Sequence, residues 1–451
     1  MTAPDGLPLP QRNWAILTII VGLAASVLSA AITNIALPVI ARDLGVTAAR
    51  SIWIVNAFQI AMVVSLLPLA ALGDVLGYAR VYRAGLVVFG VASLGCALSE
   101  SLPVIVAWRV LQGFGASGIL SVNPALVRFT FPRARLGHGM ALTALVVATA
   151  SATGPSIAAA ILAVGPWQWL FAVNVPLAVI AFVLALRSLP ENENLQSSFD
   201  VASALLSGAM FALLVIGLDL VGHGEWLLGA GGVVVALALG AVFVLRQGMI
   251  ATPMVPIDIF RQRVFSLSLL SSFTSFAATA IAFVALPFLF QDVLHRSQVE
   301  TGLLMTPWPL ALACTAPIAA RLSDRYPAGM LGGIGLAIMC AGLVALALIE
   351  PSTGPIDTVI RMAVCGIGFG LFQTPNNRLM MSSVPRERSG SAGGIISTAR
   401  VMGQTFGAAT VGIIFGLTVN HALGPGRALW FAAAMAGFAA LVSLTRLVGR
   451  K

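Results

Sequence analysis

The chain is a succession of long apolar runs separated by short polar breaks. Runs of about 18 or more residues recur along its whole length, and such a run is long enough for an α-helix to cross a bilayer. The pattern predicts fourteen membrane-spanning helices whose short loops make sequence neighbours antiparallel. The predicted spans are 14–39, 52–72, 81–99, 103–128, 137–163, 168–188, 200–220, 227–246, 264–290, 299–320, 329–349, 356–381, 390–418 and 427–447.

The composition indicates that lipid is the main solvent of this chain. Apolar residues make up 59% of it and charged residues 9%, with a mean hydropathy of +0.98. A soluble domain carries about 25% charged residues. The first apolar run, residues 14–39, is too long for a signal peptide and is expected to remain as a full span.

The formal charge of +9 is explained by the orientation of the chain in the membrane. Most Lys and Arg residues fall on one set of alternate loops, which predicts that these loops and both termini face the cytoplasm. This distribution accounts for the basic charge without a nucleic-acid partner. The opposite set of loops carries few basic residues, namely Arg42, Arg50, Arg296, Arg361 and Arg427.

Two polar breaks are similar to each other. Residues 73–80 (GDVLGYAR) follow the second span, and residues 321–327 (RLSDRYP) follow the tenth. In both, an Asp stands just past a span with an Arg close behind it. The repetition predicts two related six-helix units, residues 1–190 and 251–451, with two inserted helices in residues 191–250.

Two arginines, Arg109 and Arg400, are expected to lie within the membrane, where a charge faces a partner or a cavity. Arg109 has Gln112 near the same helix face, and Gly113 permits close helix approach. The residues also allow Arg109 to extend to water from the outer end of its span. Arg400 has Gln404 on the same helix face. The sequence allows Arg400 either to bind an anionic group of a substrate or to pair with a polar residue on another helix.

These motifs resemble the major facilitator superfamily, specifically its fourteen-helix drug:proton antiporter branch, over essentially the whole chain. Residues 73–80 are similar to the family's Gly-Asp-Arg-x-Gly-Arg-Arg-Arg loop, and residues 109–113 to its Arg-x-x-Gln-Gly pattern. Gly154 and Pro155 are similar to its antiporter motif, and residues 167–176 to its Trp-Arg-Trp…Asn-x-Pro stretch. The implied fold is an all-α membrane protein with two six-helix bundles plus an inserted helix pair.

The resemblance also implies roles for particular residues. Arg109, Gln112 and Gly113 are expected to serve proton coupling, and Gly154 and Pro155 a seam between moving helices. The residues alone also allow 73–80 to be an ordinary cytoplasmic turn. The expected gating latch consists of Gly73, Asp74, Gly77, Arg80, Asp324 and Arg325.

This chain departs from the branch in several motifs. Ser29 stands where the branch commonly carries an Asp that serves a cationic substrate or a proton, which weakens any expectation of polycationic cargo. Gln168 replaces an Arg, and Val75, Tyr78 and Ala79 replace basic residues of the latch. The remaining candidate acids near spans are expected to be solvated helix ends: Glu100, Asp219 and Asp292.

Polar, aromatic and Met side chains near mid-span are candidates to line a central substrate cavity, because such surfaces adapt to varied hydrophobic ligands. Each Phe or Met position could equally be a helix-packing residue. The candidates are Asn34, Gln59, Met62, Asn123, Phe273, Phe276, Trp308, Asn376 and Arg400.

The expected function is secondary active transport: proton-coupled efflux of hydrophobic or amphipathic small molecules by alternating access, in a bacterial inner membrane. The expected partners are a small-molecule substrate and the lipid bilayer, with a monomeric chain. No enzyme motif is present in the sequence, and no cofactor other than the coupling proton is expected. The sequence leaves two alternatives: an exporter of an endogenous metabolite or uncoupled facilitator, and a scaffold or receptor without transport.

The cysteines carry no paired spacing, so they are expected to be packing residues and not disulfides or metal ligands. They are Cys96, Cys314, Cys340 and Cys365.

Overall fold

A computed structural model describes residues 6–132, 136–190, 199–222, 225–250, 257–350, 352–383, 389–418 and 420–446. Their regular structure is entirely helical, and helices occupy all fourteen predicted spans. Twelve helical segments in this part of the chain are long and apolar enough to cross a membrane. The remaining two predicted spans are helices of 22 and 29 residues. The predicted all-α membrane fold is confirmed.

The first six spans form what we call the N bundle. Its second and sixth spans are each two helices in series, because the chain makes one irregular step at Ile52 and at Val173 while keeping helical dihedral angles. The helices are α1 (Leu9–Asp43), α2 (Ala48–Ser51), α3 (Trp53–Leu76), α4 (Tyr78–Ala97), α5 (Leu102–Thr130), α6 (Leu136–Val164), α7 (Trp169–Ala172) and α8 (Asn174–Ser188).

The inserted pair consists of α9 (Val201–Gly222) and α10 (Trp226–Gln247). The last six spans form the C bundle, which 3₁₀ turns at Ile257–Arg261 and His421–Leu423 accompany. Its helices are α11 (Arg263–Phe288) with a π-helical turn at Leu289–Val293, α12 (Gln298–Met305), α13 (Pro307–Leu322), α14 (Ala328–Ala347), α15 (Pro355–Ser382), α16 (Ser389–Leu417) and α17 (Gly424–Thr445).

Each bundle is held by helix-to-helix packing within itself. In the N bundle α5 packs against α3 and α4, and α1 packs against α6 and α8. In the C bundle α15 packs against α13 and α14, and α11 packs against α16 and α17. The inserted helices pack on each other, and α9 also contacts α3 and α16, so the pair touches one helix from each bundle.

Hydrogen bonds between helices reinforce this packing, since lipid provides no hydrophobic drive for helix association. The Tyr82 hydroxyl on α4 donates to the carbonyl oxygen of Thr18 on α1 at 2.9 Å. The Thr18 hydroxyl lies 2.8 Å from that of Ser188 on α8. These contacts fix three helices of the N bundle relative to one another.

The two bundles meet at one end of the molecule, which we call the Arg42 end because α1 finishes there. The Arg42 guanidinium pairs with Asp292 of the π turn at 3.2 Å, and the Gln291 amide donates to the carbonyl oxygen of Ile35 at 3.1 Å. Toward the same end, the hydroxyls of Ser156 on α6 and Thr306, between α12 and α13, lie 2.7 Å apart.

The opposite end, which we call the Asp74 end, carries the loops after α3 and α13. Asp74 accepts a hydrogen bond from Tyr78 of its own bundle. Asp324 accepts one from Arg378 on α15, again within its own bundle. Polar contacts between the two bundles therefore lie toward the Arg42 end, whereas Asp74 and Asp324 are bound within their own bundles.

Candidate functional site

Arg109 lies at the centre of the N bundle. Its side chain is 1% exposed, although it starts only two turns into α5. Nε donates to the carbonyl oxygen of Ile54 on α3 at 2.9 Å, and Nη1 donates to Gln112 Oε1 at 2.5 Å. Gln112 in turn donates to the Ser93 hydroxyl on α4 at 2.7 Å. Arg109 is therefore an interior residue that links three helices, not an arginine extending to water.

Aromatic rings cover the remaining faces of the Arg109 guanidinium. Its Cζ lies 4.1 Å from the ring centroid of Phe58 on α3 and 5.7 Å from that of Phe171 on α7. A guanidinium over an aromatic face is attracted by the ring quadrupole. Among the described residues no carboxylate pairs with Arg109, so carbonyl, amide and aromatic groups stabilise its charge.

Ser29 contacts Arg109 directly. The Ser29 hydroxyl is fully buried and lies 3.4 Å from Arg109 Nη1. This is the position at which the resemblance implies an acid in related chains. An Asp there would lie beside Arg109 and neutralise it, whereas the Ser of this chain leaves the positive charge of the N bundle uncompensated.

Arg400 occupies a different environment near the middle of α16. Its Cζ lies 5.2 Å from the ring centroid of Phe276 on α11. Its Nε is buried without a hydrogen-bond partner. In the described part of the chain Arg400 makes neither a hydrogen bond nor an ion pair, in contrast to Arg109.

The other candidate cavity residues divide into two groups. The first has unused polar atoms or partial exposure: Asn34 Oδ1 and Asn123 Nδ2 are buried without partners, and Gln59 is half-buried. Met62 is buried beside Phe58 in the core of the N bundle. Phe273 packs its ring 5.7 Å from Phe406, and Phe276 packs 5.2 Å from Phe369.

The second group is packed. Trp308 is 1% exposed and its ring lies 5.2 Å from that of Phe283. Asn376 uses both ends of its amide: Nδ2 donates to the carbonyl oxygen of Ser268 at 3.2 Å, and Oδ1 accepts from Arg446 at 2.7 Å. In this conformation both residues hold helices together, and contact with cargo stays a prediction for them.

The predicted latch residues lie at the Asp74 end in two separate places. Gly73 and Asp74 belong to the last turn of α3, and Gly77 reverses the chain with φ at +97°, a conformation that favours glycine. Arg80 reaches back to the carbonyl oxygen of Leu76 at 3.4 Å. Tyr78, which replaces a basic residue of the family pattern, supplies the donor to Asp74.

The second copy of the latch works through a neighbouring helix. Asp324 accepts from Arg378 of α15, and Ser323 also accepts from Arg378 at 3.1 Å. Arg325 is exposed beside them. The two copies are each bound within their own bundle, and their role in gating stays a prediction.

The Gly154–Pro155 segment of α6 touches both bundles. A Cβ at Gly154 would lie 2.6 Å from the Cβ of Ala31 on α1 in the same bundle. On the other side, a Cβ at Gly302 of α12 would lie 2.6 Å from the carbonyl oxygen of Pro155 and 2.5 Å from the Cβ of Ala159. Gly113 similarly allows α5 to approach Phe58 of α3. The predicted seam therefore includes a close contact between α6 and α12, which belong to different bundles, and movement at this contact stays a prediction.

Two polar groups were missed by the sequence reasoning. One is the contact between Arg42 and Asp292, which joins residues 250 positions apart and leaves no local signal. The other surrounds Arg446, whose guanidinium donates to Ser268, Asn376 and Ser443 of three helices. In the sequence, the basic residues at the end of the last span indicated only which side of the membrane this end faces.

Comparisons with known proteins place this arrangement in a family. The sequence model of the Major Facilitator Superfamily matches residues 19–408. The uncharacterized transporter YebQ of Escherichia coli is 49% identical over 98% of this chain and 97% of its own length. The riboflavin transporter RibZ of Clostridioides difficile is 28% identical over 91% of this chain and 90% of its own length.

One further relative and two solved structures are also similar to this chain. The tetracenomycin C resistance and export protein of Streptomyces glaucescens is 30% identical over 91% of this chain and 78% of its own length. The crystal structure of an autoinhibited POT-family peptide transporter has a TM-score of 0.73 at 17% identity, covering 97% of both chains. A bacterial homologue of the lysosomal transporter Spinster has a TM-score of 0.70 at 13% identity, also over 97% of both chains.

Proposed function

The chain belongs to the Major Facilitator Superfamily, and we propose that it exports hydrophobic or amphipathic small molecules by alternating access, with proton entry as the driving reaction. Its membership of the family shows that it is a multi-pass membrane transporter and not an enzyme. The direction of transport, the cargo and the coupling to protons are the parts that we propose.

The observation that carries the alternating-access proposal is the asymmetry of contacts between the bundles. Arg42–Asp292, Gln291–Ile35 and Ser156–Thr306 join the bundles toward one end. At the other end Asp74 and Asp324 are bound within their own bundles. A transporter that opens alternately to each side requires such an imbalance, which reverses during the cycle.

The distribution of basic loops supports the assignment of sides. Both termini and the Asp74 end carry most of the basic loop residues, so the positive-inside bias favours a cytoplasmic Asp74 end. The closed Arg42 end then faces outward. On this assignment the structure is the inward-facing state, in which an exporter receives its cargo from the cytoplasmic side.

Export and an amphipathic cargo are supported by relatives and by the interior. The name of the Streptomyces relative gives it an export function, and the mid-span side chains include aromatic rings such as Phe273 and Phe276. Proton drive is supported by resemblance to the antiporter branch. A proton that crosses a potential of about 100 mV supplies about 2.3 kcal/mol.

A second candidate, an uncoupled exporter of an endogenous metabolite, is favoured by one specific observation. In the α-helices of the two bundles, Asp and Glu occur only in the first or last turn, and Ser29 occupies the position of the usual acid. No interior carboxylate is therefore available there to carry a proton. The riboflavin transporter among the relatives acts on a metabolite, which agrees with this candidate.

Transport in proteoliposomes decides between these functions. The purified chain is reconstituted and the efflux of cationic, neutral and anionic amphipathic dyes is measured with and without an imposed pH gradient. Proton-coupled export predicts efflux that collapses when the gradient is dissipated by an ionophore. Efflux that is unchanged by the ionophore supports the uncoupled exporter, and no counterflow of any dye supports a chain without transport.

A further inference from the structure

Arg400 is an interior cation whose hydrogen-bonding capacity is unused. Its Nε is buried without a partner, and the described residues offer its guanidinium only the Phe276 ring. The residue as a whole is half-buried, so Nη1 and Nη2 are accessible to a ligand, whereas the buried Nε has lost its hydration without gaining a hydrogen bond. An anionic group bound in the transport cycle would supply the missing partner.

Two buried arginines in the described part of the chain, Arg109 and Arg446, show what a structural role looks like. Arg109 donates from Nε to Ile54 and from Nη1 to Gln112. Arg446 donates to Ser268 and Asn376 at 2.8 and 2.7 Å. Each has hydrogen bonds to at least two other residues, so the fold can satisfy an interior guanidinium where it serves packing alone.

The charge balance of the interior is positive on both sides of the bundle interface. Arg109 and Arg400 lie in the interiors of α5 and α16, and neither is paired with an acid in the described part of the chain. The acids of the bundle α-helices stand only in the first and last turns. A cation entering this interior would meet repulsion, whereas an anion would be attracted.

The surroundings of Arg400 also favour an aromatic or extended apolar body on the same ligand. Phe276 contacts the guanidinium on one side and stacks edge-on with Phe369 at 5.2 Å on another. Phe369 continues to Phe372 at 6.3 Å. These three rings are buried, whereas Phe273 on α11 and Phe406 on α16, whose ring centroids lie 5.7 Å apart, are partly exposed and provide area for an apolar group.

We propose that the cargo is an amphipathic organic anion, with a carboxylate, sulfonate or phosphate group, and that Arg400 binds this group. The inference rests on the proposed function and names the charge class of its cargo. A guanidinium donates two parallel hydrogen bonds to such a group, which fixes its orientation. An inside-negative potential also favours outward movement of an anion, so it adds to the driving force for export of this cargo.

Three matched ligands test the charge class: 1-naphthaleneacetate, its neutral amide 1-naphthaleneacetamide, and the cation (1-naphthylmethyl)trimethylammonium. Binding to the purified full-length chain in detergent is measured by equilibrium dialysis. The anion is expected to bind about tenfold or more tightly than the amide, the size expected for one charge-assisted contact. Equal binding of anion and amide, tighter binding of the cation, or no saturable binding of the anion would overturn the proposal.

Variants assign the effect to the residue. Arg400→Gln should abolish the preference for the anion over the amide, while Arg400→Lys should keep most of it because the charge remains. Arg446→Gln is the matched control, since it removes an interior arginine of the same bundle that already has partners. It should lower thermal stability and leave the ratio of the two dissociation constants unchanged. A preference that survives in Arg400→Gln contradicts the assignment.

Two further experiments distinguish a free cargo from a lipid headgroup, and distinguish failure of the binding site from failure of the proposed transport function. Nanodiscs of phosphatidylcholine are compared with nanodiscs that also contain phosphatidylglycerol. The same dissociation constant in both supports a free cargo, and a weaker one with phosphatidylglycerol would reassign the site to a lipid headgroup and overturn the cargo proposal. Anion binding without counterflow in proteoliposomes would contradict the transport function and leave the binding site standing.

Discussion

Nη1 of Arg42 lies 3.2 Å from Oδ1 of Asp292, so the end of the first helix of the N bundle is paired with the end of the first helix of the C bundle. Asp292 reaches this position through the π-helical turn at Leu289–Val293, which follows Pro287. The same turn places Gln291 against the backbone of Ile35. One irregular turn therefore supplies two of the contacts that close the Arg42 end.

The pair should contribute modestly to this closure. Its side chains are 56% and 41% exposed, and an exposed ion pair contributes about 0–1 kcal/mol. Asp292→Asn is therefore expected to raise the population of molecules open at the Arg42 end by no more than about fivefold. Thiol labelling of a cysteine at Ala159, which is 2% exposed at the contact of α6 with α12, measures the population in a background whose native cysteines are replaced by serine. The exchanged pair Arg42→Asp with Asp292→Arg should restore it, and a labelling rate that stays changed in the exchanged pair would contradict the ion-pair explanation.

Gly302 should tolerate no side chain while the Arg42 end is closed. A Cβ there would lie within 2.6 Å of both Ala159 and Pro155 across the bundle interface. Gly302→Val is expected to hold that end open and to abolish transport. Gly231→Ala on α10 is the control, because nothing lies within 4 Å of its added Cβ. Gly302→Val with wild-type transport rates would show that α6 and α12 do not need this contact.

Arg109 should resist replacement by lysine. Lysine has one nitrogen, which cannot donate at once to Ile54 and Gln112 as two guanidinium nitrogens do. Arg109→Lys is expected to cost about 1–3 kcal/mol of stability, because a buried acceptor loses its donor. Thermal unfolding in detergent measures this, with Arg80→Lys at the surface as the control. An unchanged melting temperature would argue against the network.

Replacement of Asp324 should change the rate of transport more than the stability of the fold, if the loops at the Asp74 end contact each other's bundles in the state that is closed at that end. Its pair with Arg378 is exposed on both sides, so Asp324→Asn is expected to cost less than about 1 kcal/mol. Transport should nevertheless slow. Asp357→Asn is the matched control, because Asp357 forms a similar partly exposed pair with Arg361 near the other end. Equal transport rates in the two variants would remove the gating role.

Asp200 provides a pH-dependent contribution at the start of α9. Arg246 and Ser203 donate hydrogen bonds to its carboxylate and lower its pKa to about 2. A pKa lowered in the folded chain stabilises it above the unfolded value of about 3.9, and that contribution is lost as pH falls toward 2. The melting temperature should fall over this interval more steeply in the wild type than in Asp200→Asn. Parallel curves would contradict the pairing.

The positions of the spans could be predicted from the sequence because an apolar run of bilayer length is a local property. Arg109 could be placed in the interior for the same reason, since a charge inside a span has few acceptable environments. The helix irregularity at Ile52 could not be predicted, because its dihedral angles stay helical and no Gly or Pro lies beside it. Those at Thr306 and Val173 lie close to Pro307 and Pro176, whose missing N–H groups are a signal in the sequence.

The partners of the candidate residues depended on three-dimensional packing. Tyr78 read as a departure from a motif, yet it provides the hydrogen bond to Asp74. Asn376 and Trp308 have the chemistry of cavity residues, but neighbouring helices use their surfaces. Arg42 and Asp292 stand at helix ends 250 positions apart, and only the meeting of two bundles relates them. A sequence pattern gives the type of a residue and its position along a membrane span. Packing then decides which of its atoms have no partner within the protein.

The most direct test of alternating access measures both ends of the molecule at once. Spin labels at Thr47 and Val299 report on the Arg42 end, and labels at Leu76 and Tyr326 report on the Asp74 end; all four residues are exposed. Pulsed electron–electron resonance is recorded for both pairs in the wild-type background and in Gly302→Val. The account predicts that Gly302→Val lengthens the first distance and shortens the second. Distances that stay fixed at one end while the other moves, or that change in the same direction, would contradict it.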